Sequence, residues 1–179
     1  SLATLARSRL GVALGGLGRG RESCELELER ARLEPGYLGA VDAVEGLVRR
    51  CRESGAGNAA LETLGGLMDS ADDPARCARV AFGLGQEERV SACLESLPEE
   101  TRLTDLPDDL QRRALTSGHG QALLRAWTTR HPGDLFAIEK QLGRDPALDD
   151  RQRVALLEHA LAIPPPYPLA TWKIASELA

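Results

Sequence analysis

Four cysteines are the residues with the widest chemical repertoire in this chain, and their spacing limits what they can do. Cys24, Cys51, Cys77 and Cys93 lie 16 to 27 residues apart, so there is no C-x2-C pair to begin a zinc site. Cys24 and Cys77 fall at inward positions of a helical pattern, where a small apolar residue belongs. Because cysteine is one of the residue types most often buried, the sequence predicts buried structural thiols, with disulfides or a metal site as open alternatives.

Histidine and serine lack the spacing that catalysis needs. The three histidines, His119, His131 and His159, occur singly and form no H-E-x-x-H motif. We interpret them as surface or turn residues. No serine lies in a G-x-S-x-G sequence, so an acyl-transfer triad has no nucleophile position.

Glycine clusters and acidic pairs have structural explanations. The segment 15–20, GGLGRG, lacks the Lys-Ser/Thr of a phosphate-binding loop, and we interpret it as a turn between helices. The pairs Asp72-Asp73, Asp108-Asp109 and Asp149-Asp150 lie at the starts of predicted helices, where the exposed N–H groups favour negative charge. We therefore expect a protein that is not an enzyme and has no catalytic residues, no cofactor and no metal.

The elements that carry these residues are predicted to be helices. Apolar residues recur at three- and four-residue gaps, as in Leu2, Leu5, Leu10 and Leu14. Asn58 is a plausible N-cap and Pro74 a plausible first helical residue. The pattern predicts an all-α fold of eleven helices: Leu2–Leu17, Arg21–Leu33, Tyr37–Arg52, Asn58–Met68, Pro74–Leu84, Gln86–Leu97, Pro107–Thr116, His119–Arg130, Gly133–Gly143, Asp149–Ile163 and Tyr167–Leu178.

The spacing of small and apolar residues repeats along the chain. Leu10 and Leu14 are followed 34 residues later by Val44 and Val48. Leu84-Gly85 follows Leu17-Gly18 by 67 residues, one short of two such periods. On the second helix of each pair, three positions recur with a displacement of 36 residues: Cys24, Leu28 and Ala31 match Ala60, Leu64 and Leu67.

This pattern resembles the tetratricopeptide repeat, whose signature combines W-x2-L-G-x2-Y, A-x3-F and a proline over 34 residues. Leu10-Gly11-x2-Leu14, Cys24-x3-Leu28 and Pro35 match it, while Arg7 stands where the signature has Trp. The resemblance implies one domain over residues 1–179, stacked as a right-handed solenoid of antiparallel helix pairs with a concave, partner-binding face. Residues 99–148 match it least, and the chain is expected to be a fragment of a longer array.

Composition limits the classes of partner. Apolar residues make up 42% and aromatic residues 3% of the 179 residues, which indicates a core of Leu, Ala and Val. The net charge of −5 and the pI near 5.3 argue against general binding to nucleic acid or anionic lipid. No apolar run is long enough to span a membrane. Localisation remains open between periplasm and cytoplasm.

The function predicted from these features is a non-catalytic scaffold for protein–protein interaction. The residue usage and repeat type look like bacterial arrays that serve secretion, including exopolysaccharide export. The alternatives are a helical frame for an enzyme and a cytoplasmic adaptor or co-chaperone.

Partner-binding residues are predicted on the first helix of each pair, on the side away from the inward-facing positions. A groove with arginines and a few aromatics favours an acidic or mixed protein segment. The alternative is that Arg49 and Arg79 are only solvated and that Trp172 is covered by a further repeat. The candidates are Asp42, Arg49 and Arg50 in the second pair, Arg79 and Phe82 in the third, and Trp172 and Ser176 in the final helix.

Overall fold

The computed structural model describes residues 2–116 and 120–163, and within these residues the protein is all-helical. The all-α prediction is therefore confirmed. Two short 3₁₀ helices, Pro35–Leu38 and Leu103–Asp105, accompany the α-helices. The described α-helices are α1 (Leu2–Gly16), α2 (Gly20–Leu33), α3 (Val41–Glu53), α4 (Gly57–Asp69), α5 (Pro74–Leu84), α6 (Glu87–Leu94), α7 (Asp108–Thr116), α8 (Gly120–Arg130), α9 (Leu135–Arg144) and α10 (Asp150–Ala162).

Each of these helices corresponds to one of the eleven predicted from the sequence. The eleventh, Tyr167–Leu178, lies outside the described residues, so the count of eleven stays a prediction. Tyr37 belongs to a 3₁₀ helix, and α3 begins only at Val41. The prediction that Asn58 is an N-cap is wrong, because α4 begins one residue earlier, with Ala56 in the cap position and no side-chain cap.

The chain is divided into two compact units, residues 1–96 and residues 97–179. We call them the N-terminal unit and the C-terminal unit and describe each by itself. A single repeat domain over the whole chain stays a prediction.

Three helical hairpins build the N-terminal unit, and their turns share one geometry. Each turn contains a glycine with positive φ: 72° at Gly18, 77° at Gly55 and 72° at Gly85. In each, the glycine N–H donates to the carbonyl three residues back, and the next N–H donates to the carbonyl five residues back. This is the Schellman motif, which satisfies the last carbonyls of a helix. The helix pairs α1–α2, α3–α4 and α5–α6 are thus closed in the same way.

Successive hairpins pack closely where small residues allow it. Helix α5 contacts α3 and α4, and α2 contacts α3 and α4. At the crossing of α5 and α3, a Cβ placed on Gly83 would lie 2.3 Å from Val44 Cγ1. The buried residues of this unit include Val44, Val48, Leu28, Leu47 and Leu64. The predicted core of Leu, Ala and Val is confirmed.

Helix α1 is less covered than its counterpart α3. It packs on α2 at Gly11, whose carbonyl accepts a 2.8 Å hydrogen bond from Ser23 Oγ, and Leu14 is buried. Leu10, which the repeat pattern matches to the buried Val44, is instead half exposed. The equivalence of these two positions in sequence therefore does not extend to their burial.

The C-terminal unit is organised around a buried carboxylate. Helix α7 packs on α8, α8 on α9, and α9 on α10. Asp134, the N-cap of α9, is buried and accepts three hydrogen bonds. The donors are Leu103 N at 2.5 Å, Trp127 Nε1 at 2.9 Å and Ala137 N at 3.1 Å. The Asp134 side chain thus joins the 3₁₀ helix Leu103–Asp105, α8 and α9.

The prediction of surface or turn positions holds for both described histidines, but His131, which lies in the turn between α8 and α9, is buried. His131 is buried because it follows Trp127 by one helical turn and stacks on its ring, with 4.1 Å between centroids. Its Nδ1 lies 2.8 Å from the carbonyl oxygen of Glu99. His159 is exposed, with Nε2 2.9 Å from the carbonyl oxygen of Pro132. His119 lies outside the described residues.

Candidate functional site

All four cysteines form disulfides. Cys24–Cys51 joins α2 to α3 with Cα atoms 5.3 Å apart, and Cys77–Cys93 joins α5 to α6 with Cα atoms 5.5 Å apart. Both separations are usual for disulfides. The prediction of buried thiols is therefore wrong, and one of its open alternatives holds. Spacing along the chain could not show this, because the packing of neighbouring helices, and not a sequence motif, brings each pair together.

A cavity of about 490 Å³ lies at the turn between α1 and α2, beside the C-terminal end of α3. Cys24 forms part of its wall. Charged residues of both signs dominate the remaining lining: Arg19, Arg21, Glu22, Glu27, Arg50 and Glu53.

Arg50 is fixed at this cavity by a carboxylate from another helix. Its Nη2 and Nε donate to Glu27 Oε2 at 2.5 and 3.2 Å. Burial acts to lower the pKa of Arg50, but the hydrogen bond and charge of Glu27 outweigh it, so the pKa is raised. Arg50 therefore keeps its positive charge.

Tyr37 completes this charged group. The guanidinium of Arg30 lies over the Tyr37 ring, 4.3 Å from its centroid, in a cation–π contact. Burial, followed by the charge of Glu27, raises the pKa of the Tyr37 hydroxyl. Sequence analysis did not single out Glu27 or Tyr37. Tyr37 entered the sequence analysis only as the first residue of a predicted helix, and Glu27 carried no signal there.

The predicted partner-binding residues differ in their surroundings. Asp42, Arg49 and Arg50 are exposed on α3, and Arg79 is partly buried on α5. Phe82 is buried, so the prediction that it faces outward is wrong. Helix α5 contacts α3, α4 and α6 and therefore has little free surface. Trp172 and Ser176 lie outside the described residues.

Comparison with known proteins identifies no relative: no family model matches, and neither a curated protein nor a solved structure resembles the chain significantly. In the described ranges 2–116 and 120–163, none of the helices has the length and apolar character needed to cross a membrane. The same ranges contain no group of three or more His, Cys, Asp or Glu residues that could hold a metal ion. The charged cavity beside α3 and the exposed arginines of that helix form the candidate site.

Proposed function

We propose that this protein is a non-catalytic scaffold that binds an acidic segment of a partner protein on α3 and in the cavity at its C-terminal end. The observation that carries this proposal is a group of accessible arginines around the cavity. The side chains of Arg19, Arg21 and Arg50 are 53%, 75% and 50% exposed. Arg49, the neighbour of Arg50 in sequence, is also exposed on α3.

These arginines are available to a partner although each has a carboxylate neighbour. Arg19 pairs with Glu22, Arg21 with Glu25 and Arg50 with Glu27. Exposed ion pairs contribute only about 0 to 1 kcal/mol, so a carboxylate from a partner can replace Glu22 at Arg19 or Glu25 at Arg21. Glu27 is only 17% exposed and stays bound to Arg50. The planar guanidinium binds a carboxylate through two parallel hydrogen bonds, which favours an acidic segment over a neutral one.

A tetratricopeptide-like solenoid is the architecture that we propose for this scaffold. Three hairpins with the same turn, and the packing of α5 on both helices of the preceding hairpin, support it. Stacked hairpins form an extended surface suited to a peptide or helix. The finer form of this proposal is the right-handed solenoid of eleven helices predicted from the sequence.

We further propose that the protein works in an oxidising compartment. Disulfides persist in secreted and periplasmic proteins and are rare in the cytosol, and two are present in the N-terminal unit. Of the two compartments left open by the sequence, this favours the periplasm. A part in bacterial secretion or exopolysaccharide export is the specific form of the proposal.

Selection from a random peptide library tests the chemistry of the partner. The oxidised full chain is used to select 12-residue peptides, and we expect enrichment of Asp and Glu. The affinity of a selected peptide is then measured by fluorescence anisotropy. Arg21→Glu with Arg49→Glu should weaken binding about tenfold, equivalent to about 1.4 kcal/mol. Both arginines are exposed, and the Arg21–Glu25 pair that is lost is an exposed one, so the melting temperature should change little.

Arg151→Glu provides a matched control, because Arg151 is an exposed arginine on α10 in the other unit. It should leave peptide affinity unchanged. Selected peptides without excess acidic residues, or equal affinity for the wild type and the double variant, would refute the proposed surface.

A further inference from the structure

The two disulfides differ in their access to solvent. Cys24 and Cys51 are 2% and 0% exposed. Cys77 and Cys93 are both partly exposed, and both line a cavity of about 330 Å³ beside α5 and α6. An external thiolate can therefore approach the second disulfide while the protein stays folded.

We propose that Cys77–Cys93 is a thiol–disulfide exchange site for a dithiol reductant, small or protein-borne, whereas Cys24–Cys51 is structural. This inference is independent of the partner-binding function proposed above. Exchange requires a thiolate that reaches a sulfur atom. Cys77 and Cys93 are both partly exposed and both line one cavity, whereas Cys24, although it lines the cavity beside α3, is only 2% exposed and Cys51 is fully buried.

Helix position determines which sulfur is attacked. Cys77 ends the first turn of α5, where its N–H donates to Asp73 O at 3.0 Å, and Cys93 is the penultimate residue of α6. The positive end of a helix stabilises a thiolate and the negative end destabilises one. Cys77 is consequently the better leaving group, and the incoming thiolate attacks Sγ of Cys93.

The reaction proceeds in two balanced steps. The thiolate of the reductant forms a bond to Cys93 Sγ, the S–S bond breaks, and Cys77 leaves with the electron pair as a thiolate. The second thiol of the reductant then loses its proton, and its thiolate attacks the other sulfur of the reductant, the one bonded to Cys93 Sγ. This step releases Cys93 as a thiolate. The protein gains two electrons, and the reductant is oxidised to a disulfide.

Charges around the cavity select the type of thiol. Arg89 is paired with Asp69, which leaves Asp72 as the unbalanced charge among the lining side chains. A negative charge repels anionic thiols and attracts cationic ones. The site should therefore react faster with cysteamine than with glutathione.

Timed reduction of the oxidised full chain tests the proposal. The protein is incubated with dithiothreitol under native conditions, quenched with an alkylating agent, and each cysteine is quantified by peptide mass spectrometry. We expect Cys77 and Cys93 to become labelled at least about tenfold faster than Cys24 and Cys51, at a rate proportional to thiol concentration. The helical circular dichroism should persist after this first phase. Equal labelling rates, or earlier opening of Cys24–Cys51, would overturn the proposal.

Monothiols test the direction of attack and the role of charge. With 2-mercaptoethanol and an acid quench, the mixed disulfide should be found on Cys93, with Cys77 free. The cysteamine-to-glutathione rate ratio should fall in Asp72→Asn and be unchanged in Asp150→Asn, a charge-matched control on α10. A mixed disulfide mainly on Cys77 would refute the assigned leaving group, and an unchanged ratio in Asp72→Asn would refute the assigned charge.

Discussion

Among single residues, Gly83 shows how closely two helices approach in the N-terminal unit. A Cβ at this position would lie 2.3 Å from Val44 Cγ1 and 2.4 Å from Val44 Cβ. No rotamer of Val44 relieves the second contact, so α3 and α5 must separate in Gly83→Ala. We expect a loss of roughly 1 to 3 kcal/mol in the free energy of unfolding, measured by urea denaturation.

Gly66 supplies the control for that substitution. It lies within α4, and a Cβ there would meet nothing within 4 Å. Gly66→Ala should stabilise the protein by up to about 1 kcal/mol through helix propensity. Destabilisation of similar size in both variants would contradict the close approach at Gly83.

Leu28 and Leu33 lie on the same helix and test the core directly. Leu28 is 4% exposed and Leu33 is 56% exposed. Leu28→Ala should cost about 2 to 5 kcal/mol through lost burial and the resulting cavity, whereas Leu33→Ala should stay within about 0.5 kcal/mol. Chemical denaturation of both variants checks the orientation of α2, and equal costs would show that it is wrong.

Tyr37 should make the stability fall at high pH. Its pKa is raised above the ordinary value of 10.0 by burial and then by the charge of Glu27. The folded state thus holds the phenol proton more tightly than the unfolded state. The stabilisation that results from this difference is fully present below pH 10 and is lost as the pH rises through the folded-state pKa. The difference in unfolding free energy between wild type and Tyr37→Phe should change in this range. A difference that is constant to pH 11 would contradict the assignment.

Residue-scale predictions failed where a partner from another part of the chain decides the outcome. The inward position of Cys24 was apparent from its spacing, but its bond to Cys51 depends on how α2 packs against α3. His131 stands before Pro132-Gly133, a typical turn signal, yet the Trp127 ring covers it. Helical spacing predicted that Phe82 faces outward, but it lies on α5, which contacts three other helices.

At the scale of elements, prediction succeeded where both ends of a helix carry a chemical signal. Helix α5 has the predicted bounds because Asp73 caps it by accepting from Ala75 N, Pro74 takes the first position, and Gly85 ends it in a left-handed conformation. Helix α6 stops at Leu94, three residues before its predicted end, since no glycine marks that boundary. Local signals thus define helix ends better than apolar spacing does.

Two helix caps in the C-terminal unit should differ greatly in their contribution to stability. Asp134 caps α9 while buried and also accepts from Leu103 N and Trp127 Nε1. Asp149 caps α10 while exposed. Asp134→Ala leaves three donors without their acceptor and should cost about 3 kcal/mol or more, whereas Asp149→Ala should cost about 1 kcal/mol. Urea unfolding followed by tryptophan fluorescence compares the two, and similar costs would contradict the central role of Asp134.

For the whole molecule, every cysteine lies within residues 1–96. The disulfides enclose sequence separations of 27 and 16 residues, and loop closure predicts about 3 kcal/mol of stabilisation from each. Complete reduction should therefore reduce hydrogen-exchange protection in α2 to α6 and leave it unchanged in α7 to α10. Mass-spectrometric exchange on the full chain measures both units at once. Equal loss of protection in both units would contradict this expectation.

The order of the disulfides also bears on how the protein is made. Four cysteines permit three pairings, and this protein joins the first to the second and the third to the fourth. During synthesis or export from the amino terminus, Cys51 is the first partner that Cys24 meets, and the two can pair before Cys77 and Cys93 emerge. Each native bond is thus also the earliest one available. We expect that correct oxidation needs an oxidant and no disulfide isomerase.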